Sequence, residues 1–136
     1  MAHKNKTLAT ALALFLGAFG AHRFYLYGPV DRLGLLHAST LPLAALLYSQ
    51  VDGLHSFYAL LPLFISSIAA FIGALIIGLL PDDKWDARFN AGSGKQSRST
   101  WPLAVLLVLT LLVGTTVLIA TISRLLDVLY TGGTYG

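Results

Sequence analysis

FYALLPLFISSIAAFIGALIIGLL, residues 57–80, carries no charged side chain at any position. A hydrocarbon core roughly 30 Å thick is crossed by about 20 apolar residues in a helix, so this run is long enough to span a bilayer. Moving outward, charges mark its borders at Asp52 and Asp82, and two further uncharged runs appear. STWPLAVLLVLTLLVGTTVLIATIS lies between Arg98 and Arg124. TLATALALFLGAFGAH lies between Lys6 and Arg23, and with the following FYLY it reaches spanning length. The whole chain agrees: 56% of its 136 residues are hydrophobic and 11% are charged, against about 25% charged in a soluble domain. Mean hydropathy is +0.74. So few charges cannot coat a globule. The expectation is an all-α integral membrane protein with no separate soluble domain.

The run LGLLHASTLPLAALLYSQV, residues 33–51, is uncharged but holds His37, Ser39, Thr40, Pro42, Ser49 and Gln50. Pro42 removes a helical hydrogen bond near the middle and disfavours helix at Leu41. Lys and Arg collect on the cytoplasmic side of a membrane. Lys4 and Lys6 precede the first run, and Lys84, Arg88, Lys95 and Arg98 fill the loop at 81–100. Three spans put both groups on the cytoplasmic face, whereas four would turn the cation-rich loop outward.

The preferred reading is therefore three transmembrane helices plus a short broken interfacial or re-entrant helical segment at about 33–50, with four transmembrane helices as the alternative. The first span is expected at about 7–27 and the second at about 56–80, together forming a unit over 1–80. Residues 81–100 form a cytoplasmic loop with a short amphipathic helix, and 101–136 the last transmembrane helix and a C-terminal tail. The start, with its lysines, apolar stretch and small residues near Gly20, also has the form of a signal peptide.

In the loop, Pro81 ends the preceding helix and Asp82 caps a short new one, with Asp83 in its first turn. Trp85 and Phe89 share a face four residues apart and are expected at the membrane interface. Gly92 and Gly94 end the helix, and GSGKQSRST is expected to be flexible. Trp101-Pro102 then reads as a helix start with Trp101 at interface depth.

Small residues recur at intervals of four in the first two spans: Ala9, Ala13, Gly17 and Ala21, then Ser66, Ala70, Ala74 and Gly78. Such stripes let backbones approach closely where lipid offers no hydrophobic drive. They predict that the two spans pack on each other, crossing right-handed, while the last span, Leu- and Val-rich around Gly114, Thr115 and Thr116, faces lipid.

GAFGAHRFYLYG, residues 17–28, sets a cation at the end of the first span. Arg23 is expected to snorkel to headgroup level beside an aromatic belt of Phe24, Tyr25 and Tyr27, with Asp31, Asp52 or a lipid phosphate to neutralise it. Residues 4–28 resemble the signature of the TM2 domain family, in which a Lys-flanked helix leads into G-x-x-G-x-H-R-F-Y-L-G. Gly17, Gly20, His22, Arg23, Phe24, Tyr25, Leu26 and Gly28 stand in that order, with Tyr27 inserted before the last glycine. Asp31-Arg32 resembles the first two residues of an Asp-Arg-aromatic triplet carried by animal members, but Leu33 stands in the aromatic's place. The PDDKWDARFN loop and third strong span look like those of a bacterial branch. The resemblance implies an integral membrane protein with no established chemistry, here of a bacterial cytoplasmic (inner) membrane.

His22 is the best candidate for a titrating group, as a helix-end hydrogen-bonding residue. Asp52 and His55 form a D-x-x-H that could face it from the outer side. His22, His37, His55 and Asp52 could supply zinc ligands, but their spacing does not demand a metal. The sequence holds no cysteine, hence no disulfide and no thiolate site. Common hydrolase, zincin and Walker patterns are not found. No enzyme, cofactor or metal is expected. Net charge is +3, but the cations flank apolar runs, so no nucleic acid is expected either. The functional expectation is a structural or accessory membrane protein that packs through its small-residue faces, as a subunit of a larger complex. The alternative is a homo-oligomeric transport or sensing protein that binds an anionic lipid or ligand near His22 and Arg23.

Overall fold

The computed structural model describes residues 3–133, and every regular element in them is helical. The expected C-terminal tail thus lies partly outside the described residues. The chain forms α1 (Lys6–Leu16), α2 (Ala21–Tyr27), α3 (Arg32–Gln50), α4 (Ser56–Leu79), α5 (Asp82–Phe89) and α6 (Trp101–Thr131). Two of these, α4 and α6, are long and apolar enough to cross a membrane, with mean hydropathy 2.5 and 2.7. Only 17% and 11% of their apolar windows are buried within the fold. A core helix of a water-soluble protein hides its apolar face. Here Ile65, Ile72, Ile76, Leu112 and Ile119 lie on the outside, where acyl chains can cover them.

The helix α4 is the post against which α1, α3 and α6 pack. Small residues lie where α1 and α4 pack: Ala9, Ala13, Ala70 and Ala74 are all buried. At Gly17 even a methyl group would stand 2.5 Å from Ala70 Cβ. The two helices run antiparallel, with Lys6 at the level of Leu80 and Gly17 at the level of Ala70. The α6 helix also runs antiparallel to α4, seating Gly114 against Phe71 and ending with Gly133 beside His55.

The expected first span at 7–27 is corrected. Helix α1 has 11 residues, about 16 Å at 1.5 Å per residue, roughly half a hydrocarbon core. Gly17–Phe19 then tighten into a 3-10 turn, and Gly20 takes φ +82°. A left-handed residue reverses the chain, and glycine adopts it without the Cβ penalty. The α2 helix runs back along α1, so that Lys4 Nζ donates to the Tyr25 carbonyl at 2.8 Å and the Asn5 amide to Tyr25 Oη at 2.9 Å. Ala21, expected to continue the first stripe, lies beyond the reversal and is only half-buried.

The expected break at 33–50 is also corrected. Helix α3 runs unbroken for 19 residues through Pro42. Thr40 Oγ1 donates to the His37 carbonyl at 2.6 Å and Ser39 Oγ to the Leu36 carbonyl at 2.7 Å. Neither is the Ala38 carbonyl, the one that Pro42 deprives of its helical donor; the helix continues past that single missing bond because α3 packs along α4.

At the other end of α4 the N-terminal segment docks on α5. Asn90 Nδ2 donates to the Lys4 carbonyl at 3.0 Å, Asn90 Oδ1 accepts the Lys4 amide, and Trp85 Nε1 donates to the same carbonyl at 3.1 Å. Lys6, 6% exposed, donates to the Leu80 carbonyl and pairs with Asp82, both at 2.6 Å. A cation at a helix C-terminus satisfies carbonyls that have no helical partner. Asp82 therefore serves Lys6 and Ser99 rather than capping α5, whose N-cap position is Pro81. The segment after α5, expected to be flexible, is held by Ser97 on Asp86 and Ser99 on Asp82.

These bonds carry a pH dependence. The Lys6 ammonium, then the Ser99 hydroxyl, hold the Asp82 carboxyl down at about 2. Hydrogen bonds from the Ser97 side chain and backbone lower Asp86. A carboxylate whose folded pKa is depressed stabilises the fold above its unfolded value near 3.8, and that contribution is lost as pH falls toward the folded value. In a Trp101→Phe background, Trp85 emission is expected to hold steady from pH 7 to about 4 and to shift red as the pH approaches 2. An unchanged spectrum down to that pH would show that these carboxylates do not hold the N-terminal segment in place.

Candidate functional site

The chain reversal places polar groups halfway along α4, beside its apolar faces. His22, on the first turn of α2, is 3% exposed. Its ring meets that of His37 edge-on, with centroids 5.6 Å apart. Ser66 Oγ donates to the Ala18 carbonyl at 2.7 Å and lies 2.6 Å from His37 Nδ1. A hydroxyl has one proton to give. With that proton on Ala18, the His37 Nδ1 must be the donor to Ser66, which assigns His37 as the Nδ1–H tautomer and leaves a lone pair on Nε2. His22 has no such bond: its buried Nδ1 has no hydrogen-bond partner among the described residues.

Beside the imidazoles, Arg23 makes a two-pronged pair with Asp31, Nε to Oδ2 at 2.9 Å and Nη2 to Oδ1 at 3.2 Å. The Asp31 carboxylate also caps α3 by accepting the Gly34 amide at 2.8 Å. The guanidinium lies over the Tyr27 ring, 4.2 Å from its centroid, a favourable placement for a cation. A groove of about 560 Å³ opens over this floor, walled by Leu33 and Leu36 of α3 and by Pro62 and Ile65 of α4. That volume lies within the range of small-molecule sites, roughly 300–1,000 Å³.

The structure redistributes the residues singled out in the sequence. Asp31 neutralises Arg23, one of the three partners considered. Arg23 does not stand at an outer rim: Tyr27 packs its ring on Phe89, and Arg88 reaches the Tyr27 hydroxyl, so the aromatic cluster sits at the α5 end. Tyr25 lies at that end too, and Phe24 meets Gly34 beside the reversal. Leu26 and Gly28 complete α2 and its C-cap. His22 and His37 come together, whereas His55 caps α4 at the opposite end, its Nδ1 accepting the Phe57 amide at 3.1 Å. Asp52 belongs to that far loop as well, so the pair does not face His22. No group of three metal-ligating side chains is found among the described residues.

Trp85, expected at the membrane interface, is fully buried against Phe89 and the Lys4 carbonyl. Trp101 is 76% exposed at the start of α6. Ser66, Ala70, Ala74 and Gly78 face inward on α4, and Ala9, Ala13 and Gly17 face them. Sequence reasoning missed Asn90 and took Ser66 only as a small residue. A hydroxyl in the middle of an apolar span needs a partner, and that was the available signal.

Residues 2–54 match the family model of the TM2 domain. The match bears on the domain and not on any bacterial branch. No curated protein and no solved structure matches the chain.

Proposed function

From a TM2 domain over residues 2–54, we propose a membrane protein whose groove between α2, α3 and α4 binds a molecule taken from the bilayer. The observation that carries this reading is His22: a buried imidazole whose Nε2 lies toward Gly73 on the floor of an apolar groove, while its Nδ1, sealed against Gly17, has no partner among the described residues. Burying an imidazole with so few partners costs free energy, and a ligand that bonds the groove-side nitrogen offsets part of that cost. The reading assigns no reaction and no cofactor. Arg23 is taken up by Asp31 and Ser66 by His37 and Ala18, so the floor offers contacts and no activated nucleophile.

Within this proposal α3, α4 and α6 cross the bilayer, and α1 with α2 forms a hairpin that enters and leaves by one face. Lys4, Lys6, Lys84, Arg88, Lys95 and Arg98 cluster toward that face, which supports a cytoplasmic assignment for it. The accessory-subunit reading has less support. Its small-residue stripes are covered within the fold, with Gly78 against Leu107 of α6 and Ser66 bonded to Ala18 and His37, so a partner protein or second copy would have to dock on the leucines of α3 and α6.

Native mass spectrometry of the full chain released in mild detergent tests the proposal. One retained small-molecule adduct per chain is expected, and its loss in Gly73→Leu, which fills the groove floor beside His22 Nε2. A chain without an adduct, or one whose adduct survives Gly73→Leu, would contradict it. A stoichiometric protein partner in place of the adduct would favour the subunit reading.

A further inference from the structure

We infer that the groove recognises an uncharged amphiphile by a hydroxyl head, which sits between His22 and His37 while its apolar tail follows Leu33, Leu36, Pro62 and Ile65. This inference rests on the binding role proposed for that groove and names what it selects.

Charge comes first. The single guanidinium at the floor is matched by Asp31 through two hydrogen bonds, and imidazoles with an ordinary pKa near 6.5 are neutral above pH 7. The floor therefore has no net positive charge to offer an anionic headgroup. An anion drawn into so apolar a site would lose its hydration without a counter-charge.

Hydrogen-bond polarity comes next. His37 is fixed by Ser66 as the Nδ1–H tautomer, so its Nε2 can only accept. His22 Nδ1 is sealed against Gly17, and His22 Nε2 lies toward Gly73, which lines the groove. A buried N–H without an acceptor is rarer than a bare acceptor, so the His22 proton resides on Nε2, the side that faces the groove. The two rings, 5.6 Å apart, then present one donor and one acceptor. A hydroxyl is the smallest group that answers both: its oxygen accepts from His22, and its proton goes to His37. A ketone or ester can only accept, and an ammonium can only donate. Diacylglycerols and prenyl alcohols share this chemistry and differ in the tail.

The test titrates the detergent-solubilised full chain with dioleoylglycerol, geranylgeraniol, the methyl ether of each, and dioleoylphosphatidic acid, following occupancy by native mass spectrometry. At least one free alcohol is expected to saturate at one site, and which of the two binds identifies the tail. Its methyl ether, which cannot donate, should bind about tenfold more weakly. His37→Phe should weaken the alcohol about as much and leave the ether unchanged. Gly73→Leu fills the floor from α4 against His22 Nε2, leaves both imidazoles in the chain, and should abolish binding of both. Equal binding of alcohol and ether, or preference for the phosphatidic acid, overturns the hydroxyl assignment while leaving the groove as a binding site. Absence of saturable binding by every lipid, with Gly73→Leu indistinguishable from the parent, overturns both.

Discussion

Gly20→Ala is expected to be the most damaging methyl group that can be added to this chain. Gly20 stands at φ +82°, where an alanine costs about 1–2 kcal/mol. Its Cβ would also lie 2.5 Å from the Gly34 carbonyl oxygen and 3.0 Å from Gly34 Cα. Both are backbone atoms of α3 and cannot turn aside as a side chain can, so α3 must move off the reversal. A total loss of about 3 kcal/mol or more follows. Gly53→Ala provides the control. Gly53 has φ +77°, but nothing stands within 4 Å of its would-be Cβ, so it should lose only the conformational part. Thermal unfolding in one detergent measures both, and the difference isolates the approach of Gly34. Equal losses would mean that α3 does not pack against the reversal as described.

The second large effect is expected at Asp31. Its carboxylate serves two masters: it neutralises Arg23 and caps α3. Asp31→Asn keeps an acceptor for the Gly34 amide but leaves Arg23 without its counter-charge. Breaking a buried pair from one side costs about 3–5 kcal/mol. Here the Arg23 side chain is 24% exposed, so solvent screens part of that cost and the loss is smaller. Asp31→Leu removes the cap as well and should destabilise further. Adding Arg23→Leu to Asp31→Leu should restore much of the loss, because the stranded charge is then gone. Urea or thermal unfolding of the four proteins closes the cycle. If the double variant is as unstable as the sum of its parts, the pair is not what holds α2 to α3.

How much of this could be read beforehand depends on what each residue was asked to do. Helices α4 and α6 are legible because an uncharged run of their length has few other uses. The α1–α4 contact is legible because Ala9, Ala13 and Gly17 repeat at the interval of Ala70 and Ala74. The reversal at Gly20 is hidden, because a hairpin inside an apolar window is as apolar as a straight helix. Periodicity reports which solvent a residue meets, not whether the chain turns. Gly17 and Gly20 carry the signal, but the interval of four explains Gly17 as room for a neighbour, which the Ala70 contact shows, and says nothing of Gly20. Lys4 and Lys6 were read as topological charges. Their alkyl stems and ammonium groups also close the ends of α2 and α4, a role that depends on where distant carbonyls end up. His37 and Ser66 are 29 residues apart, and only the fold brings them together under the groove.

The central claim is that the chain doubles back at Gly17–Gly20, so that the link between α2 and α3 returns to the side from which the chain entered. The sequence has no native cysteine, which allows a direct test. Pro29→Cys, Gln96→Cys and Asp52→Cys, each placed singly at an exposed position, are treated in sealed vesicles with a membrane-impermeant maleimide. Positions 29 and 96 are predicted to react from one face and position 52 from the other. Labelling of positions 29 and 52 from the same face, opposite to 96, would contradict the reversal and restore a straight first span.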